Sequence, residues 1–202
     1  MKEKNRQKLK EPPDDFYERI KDRLYRRICR ELRTAERVLD IGCGACELDR
    51  FIAEQNGAHV LGLDISDGKF PQEEFLSRRV KCRKGNAGNI EFLENSSVDG
   101  IVSVYSLHEM DNALKALEEA RRVLRPAGRI LIVDFPKGSL AQRLWNEEYY
   151  ARGQVESLLR KAGFADARAS VIYRKQLIWA QGRKAHTAKR ENNDRRARAH
   201  RK

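Results

Sequence analysis

Val38-Leu39-Asp40-Ile41-Gly42-Cys43-Gly44-Ala45-Cys46 is a short apolar run that breaks at a glycine turn, and a helical pattern begins directly after it at Leu48 to Ala53. Strand, turn and helix in that order open a βαβ unit. The two glycines allow main chain to approach a bound molecule closely, and an acid at the strand end can accept hydrogen bonds or balance a positive charge. The spacing is not the G-x-G-x-x-G of a dinucleotide turn, because Cys46 and Glu47 follow Gly44 where that pattern needs its third glycine. A pyrophosphate would be repelled by Asp40, so a positively charged or ribose-bearing ligand suits the turn better.

Outward from this stretch, further strands read at His59 to Leu63, Val80 to Arg83, Val98 to Val104 and Arg129 to Phe135. Helices read after Pro71, from Asp111 to Leu124, and from Glu156 to Ala162 ahead of Gly163. Ala167 to Ile172 and Gln176 to Ala180 form a final strand pair. Such alternation predicts an α/β domain, a doubly wound parallel sheet with helices on both faces. In front of it, Phe16, Ile20, Leu24 and Ile28 recur every fourth residue, an amphipathic N-terminal helix that Asp14 or Asp15 can cap. The chain therefore divides into a basic segment and helix (1–37), the α/β domain (38–182) and a basic tail (183–202) with nothing to bury, expected to stay disordered.

In a doubly wound sheet, ligands bind beyond the carboxyl ends of the strands, where strand order reverses. Leu61-Gly62-Leu63-Asp64 puts a second acid at a strand end, where a carboxylate can take both hydroxyls of a ribose. Either acid alone reads as a helix cap. Together with the glycine turn they read as a ligand site.

With those residues in view, the chain resembles the class I S-adenosylmethionine-dependent methyltransferases, of the compact small-molecule type. The likeness is carried by VLDIGCG at the first strand, LGLD at the second, Gly85-Asn86-Ala87 after the third, SVDGIVSVYSLHEM through the fourth, RVLRPAGRILIVDF around the fifth and LLRKAGF (Leu158 to Phe164). The resemblance spans about residues 36 to 180 and implies a Rossmann-like seven-stranded sheet whose last strand is antiparallel. It also implies S-adenosylmethionine as cofactor and a small-molecule methyl acceptor. Asp40, Gly42, Cys43 and Gly44 would then surround the methionine part, Asp64 the ribose, Ile65 the adenine ring, and Asn86 with Ala87 the adenine edge. Tyr105 would lie near the sulfonium. Two positions depart from the family: Cys46 replaces a frequent third glycine, and Asn86 a frequent Asp, whose hydrogen bond an Asn carbonyl can also accept.

The cofactor carries its own electrophile, so the protein must align a nucleophile, exclude water and, for some acceptors, supply a base. His108 and Glu109 follow the fourth strand and are the candidates for acting on the acceptor; equally, they can begin and cap the next helix. Trp145, Tyr149 and Tyr150 can line an apolar acceptor pocket or anchor a helix. The N-terminal helix can fold over the cofactor, with Tyr17 as a lid residue. Cys43 and Cys46 make one C-x-x-C with no second pair, and the histidines have no ligand spacing, so no metal site is expected.

Charge adds one alternative. Of 202 residues, 42 are Lys or Arg and 30 Asp or Glu, a net charge of +12. Residues 1–37 hold 13 basic and 8 acidic residues and residues 183–202 hold 9 and 2, so the whole excess lies at the ends. The basic termini can hold RNA as an alternative substrate, or only solubilise the chain. Against RNA, Tyr105-Ser106-Leu107-His108 stands where amino-group base methylation uses an Asn/Asp-Pro-Pro-aromatic segment. The longest aliphatic run, Ile130 to Val133, is far below the roughly 20 residues of a membrane span. With no secretory signal read at Met1 to Lys10, a soluble, cytoplasmic protein with reduced cysteines is expected.

Overall fold

The computed structural model describes residues 13–72 and 76–186. Its elements run α1 (Phe16–Glu31), β1 (Arg37–Ile41), α2 (Glu47–Asn56), β2 (His59–Asp64), β3 (Val80–Lys84), β4 (Val98–Val104), α3 (Ala113–Val123), β5 (Leu124–Asp134), α4 (Leu140–Trp145), α5 (Arg152–Lys161), β6 (Ala165–Ile172) and β7 (Leu177–Arg183). The seven strands form one sheet in the order β3-β2-β1-β4-β5-β7-β6, in which only β7 runs antiparallel to its neighbours. Strands β1 to β3 step one way and β4 returns to the other side of β1. The switch point thus lies between β1 and β4.

The central strands are apolar throughout because both faces are covered. Side chains alternate across them: Val38, Leu131 and Val133 pack with α1, α2 and α4, whereas Leu39, Ile130 and Ile132 pack with α3 and α5. Helix α1 belongs to the first of these cores, with Leu24 and Ile28 wholly buried. Complete burial of one such side chain stabilises the fold by about 1.5–3 kcal/mol. An ion pair between Glu31 and Arg129 ties the end of α1 to β5.

Several local expectations change. Asp15 precedes α1 without capping it, because its carboxylate pairs with Arg19 at 2.7 Å. Helix α3 passes into β5 at Leu124, ahead of Pro126, and β5 absorbs the irregularity as a register shift between Val98 and Gly100 of β4. Helix α5 starts at Arg152, a turn before the apolar pattern is visible, and ends at Lys161, two residues before Gly163, whose φ of +84° suits glycine. Of the helix expected after Pro71, residues 73–75 lie outside the described residues and residues 72 and 76–79 are not helical; residues 1–12 and 187–202 at the basic ends also lie outside the described residues. The cysteines are not all reduced: Cys46 and Cys82 are joined by a disulfide, because the start of α2 lies over β3. Among the described residues no helix is long and apolar enough to cross a membrane.

Candidate active site

A cleft of about 700 Å³ opens at the carboxyl ends of β1, β2 and β4, at the switch point. Its back wall is the glycine turn. The N–H groups of Gly42 and Cys43 both donate to Leu63 O, at 2.7 and 3.1 Å, which folds the turn against β2. Gly42 has φ +81°, and a Cβ there would overlap the side chain of Ser106. Ser106 is itself fixed, donating to Ile41 O at 2.8 Å and lying 2.7 Å from Ser103 Oγ. Position 42 therefore needs glycine for both backbone and space.

Gly42, Gly44, Asp64, Ile65, Asn86, Ala87 and Tyr105, all expected at a cofactor, line this cleft together. Asp64 accepts from the N–H of Gly44 at 2.9 Å and of Ser66 at 3.0 Å, so one carboxylate braces two loops. Ile65 is 67% exposed, an apolar side chain left uncovered at the rim. Asn86 Oδ1 already accepts from Gly88 N–H at 2.7 Å, which commits one of its two lone pairs. Tyr105, at φ +58°, stacks on Phe135 with ring centres 4.4 Å apart.

Asp40 and Cys43 are not in the lining. Asp40 lies under the turn on the α2 side, and burial, with the nearby charge of Asp64, pushes its carboxyl up to about 7 despite a contact with Asp49. Cys43 is likewise pushed up, first by burial and then by Asp49, Asp40 and Asp64. Lys69, Met110, Asn112 and Lys115 also line the cleft and were missed. Met110 ends the SVDGIVSVYSLHEM stretch, but Lys69, Asn112 and Lys115 sit in a loop and at the start of α3, where sequence offers no motif to single them out.

Glu109 lines the cleft; His108, its neighbour in the 3-10 turn Leu107–Glu109, turns the other way. Its ring is 5% exposed and its Nδ1 lies 2.7 Å from Asp134 Oδ1, while its main-chain N–H donates to Asp134 Oδ2 at 3.0 Å. Asp134 ends β5 and is 1% exposed. His108 Nε2 lies 3.2 Å from Glu147 Oε2 and 4.0 Å from Glu109 Oε1, and Tyr149 Oη donates to Glu147 at 2.9 Å. Burial lowers the imidazole pKa, but the hydrogen bond and charge of Asp134, aided by Glu147 and Glu109, outweigh it and the net shift is upward. Asp134 and Glu147 were not foreseen, since nothing local in sequence links residues 108, 134 and 147.

The aromatic residues gather around Phe135. Tyr17, Tyr105, Trp145, Tyr149 and His108 all contact its ring or one another. Tyr17 is no lid: it is 8% exposed, and its Oη accepts from Ala141 N–H at 3.0 Å. Trp145 stacks on Tyr17 yet remains 49% exposed, so one ring of the cluster faces solvent.

Comparison with known proteins gives a consistent picture. A methyltransferase-domain family model matches residues 39–132. The chain is 32% identical over 129 residues to the O-methyltransferase rstn1 of Aspergillus nomiae, covering 60% of this chain and 57% of the relative. It is 28% identical over 148 residues to the O-methyltransferase resE of Aspergillus sclerotiorum, covering 64% and 54%. It thus spans about half the length of the curated relatives it matches. Among solved structures, a SAM-dependent methyltransferase from Aquifex aeolicus superposes with a TM-score of 0.68 at 24% identity, covering 80% of this chain and 89% of that one, which supports the fold.

Proposed function

We propose that this chain is a class I S-adenosylmethionine-dependent methyltransferase that transfers the cofactor's methyl group to an oxygen of a small acceptor. The observation that carries this reading is the cleft at the switch point, where a bare glycine turn and a strand-end carboxylate face the same space. The bare main chain at Gly42 and Gly44 would receive the methionine part, Asp64 the ribose hydroxyls and the uncovered Ile65 the adenine face. Asn86 and Ala87 would border the adenine edge, and Tyr105 the sulfonium. Asp40 and Cys43 would act from behind the turn, through charge and backbone. When bound, the cofactor supplies a methyl group activated by a positive sulfur.

The protein's own contribution lies with His108. Asp134 holds Nδ1, so the neutral ring presents Nε2 as its proton acceptor, the arrangement of a general base oriented by a buried carboxylate. Nε2 stands off the cleft lining behind the half-exposed Glu147, so an acceptor hydroxyl would have to displace that carboxylate to reach it, and its proton would then pass to the imidazole as the oxygen is methylated. Trp145 and Tyr149 would form the apolar wall beside it. The relatives' names as O-methyltransferases support an oxygen acceptor and favour a small molecule over RNA. We place the reaction in the cytoplasm.

Incubation with radiolabelled cofactor and a fractionated cell extract tests this. Label is expected in small molecules, and released by treatments that cleave methyl ethers. Label confined to the RNA fraction, or no calorimetric heat with the cofactor, would overturn the reading.

A further inference from the structure

Behind the glycine turn, on the α2 side of the sheet, three sulfurs and two carboxylates converge. Sheet register sets Asp40, Gly62 and Cys82 side by side across β1, β2 and β3. Above this row come Cys43 and Cys46 from the turn and Asp49 from the first turn of α2. Gly62 makes the room: a Cβ there would fall 2.7 Å from Cys43 Sγ and closer still to Asp49 Oδ2. The Cys43 and Cys46 sulfurs and an Asp49 oxygen all lie within 4.8 Å of one another, and Cys46 is bonded to Cys82. Asp49 is 0% exposed, and among the described residues its oxygens meet no backbone or basic donor, only the neighbouring buried carboxyl of Asp40. Its neighbours are the Asp40 carboxyl, one free thiol and a disulfide, and burial together with Asp40 pushes the Asp49 carboxyl well above the usual carboxylate range, so two buried acids meet with no cation facing them among the described residues.

We propose that, when the Cys46–Cys82 bond is reduced, Cys43, Cys46, Cys82 and Asp49 hold a zinc ion that staples the cofactor turn to β3. The donor set is three soft sulfurs and one oxygen, four anionic ligands on one divalent ion, the count of a closed structural site. Cys43 Sγ and Cys46 Sγ already stand 3.7 Å apart. Two thiolates at the corners of a tetrahedron with metal–sulfur bonds of about 2.3 Å are separated by about 3.8 Å. Reduction by a dithiol delivers two electrons and two protons to the disulfide, and the dithiol leaves as its own disulfide. Metal binding then releases the three thiol protons, and the proton held by the buried Asp49 carboxyl, to water. Because all four positions are filled by protein, the ion is structural and takes no part in methyl transfer.

The test uses the full chain, reduced without oxygen by a phosphine, which takes oxygen from water to become its oxide while the two thiols form. Cobalt(II) is titrated as a spectroscopic probe and then displaced by zinc. One equivalent is expected, with the ligand-field bands of a tetrahedral ion and charge-transfer intensity corresponding to three thiolates. Cys82→Ala and Asp49→Asn should each weaken binding by more than roughly 100-fold, beyond what loss of an outer partner causes. Cys29→Ala should leave it unchanged. Circular dichroism checks that each protein is folded. Should the folded, reduced wild type take up no cobalt, or show two thiolates or fewer, the site is overturned regardless of how the variants fold. Equal binding by folded Cys82→Ala and Asp49→Asn proteins would overturn it too.

Discussion

The cleft and the histidine cluster next to it are built on opposite plans. The cleft proposed for the cofactor is made from main chain and strand ends: Gly42, Gly44, Asp64, Ile65, Asn86 and Ala87 each lie within a few residues of a parallel strand. Its key hydrogen bonds run between backbone groups or from backbone to a carboxylate. The cluster proposed to act on the acceptor joins four side chains from three separate places, His108 after β4, Asp134 at the end of β5, and Glu147 and Tyr149 between α4 and α5. Conformation dictates residue type in the cleft. In the cluster, chemistry dictates it, and the supporting backbone has more freedom.

This contrast predicts how each fails. The largest effect is expected at the proposed base: His108→Ala should lower kcat by roughly 10²–10⁴-fold, with cofactor affinity measured by calorimetry unchanged. A parallel loss of cofactor binding would mean that the cleft and the cluster are not separate. Next, Gly42→Ala should cost about 2–5 kcal/mol, the sum of a left-handed backbone penalty and overpacking against Ser106, read from the urea midpoint. Pairing it with Ser106→Gly should recover the steric part alone. Asp64→Ala removes charge-assisted hydrogen bonds and should raise the cofactor Kd by about 10–100-fold while sparing the pH profile.

The smallest effect sharpens the comparison at the histidine cluster. Neutral His108 is the form that accepts a proton, and its pKa is raised from 6.5, so kcat should climb as pH rises through a midpoint above 6.5. The stability tied to this group has the opposite trend. It is fully present below the unfolded value and is lost as pH rises through the folded one. Glu147→Gln removes one carboxylate from beside Nε2, so the activity midpoint should move to lower pH, with little change in cofactor affinity. A midpoint unmoved in this variant would show that Glu147 does not set the charge on His108.

How far sequence reaches depends on the range of the interaction. The strands, the amphipathic α1 and the glycine turn were legible because apolar periodicity and positive-φ positions are local properties of the chain. The cleft followed from them, since a strand end positions its own next residues. Even there the structure moved Asp40 and Cys43 behind the turn, because alternation along β1 sends Asp40 to the α2 face. The Asp134–His108–Glu147 chain, the Phe135 cluster and the meeting of Cys43, Cys46, Asp49 and Cys82 were decided only by tertiary packing. Each depends on register between strands distant in sequence, where a shift of a single residue would carry Cys82 or Asp134 to the opposite face of the sheet.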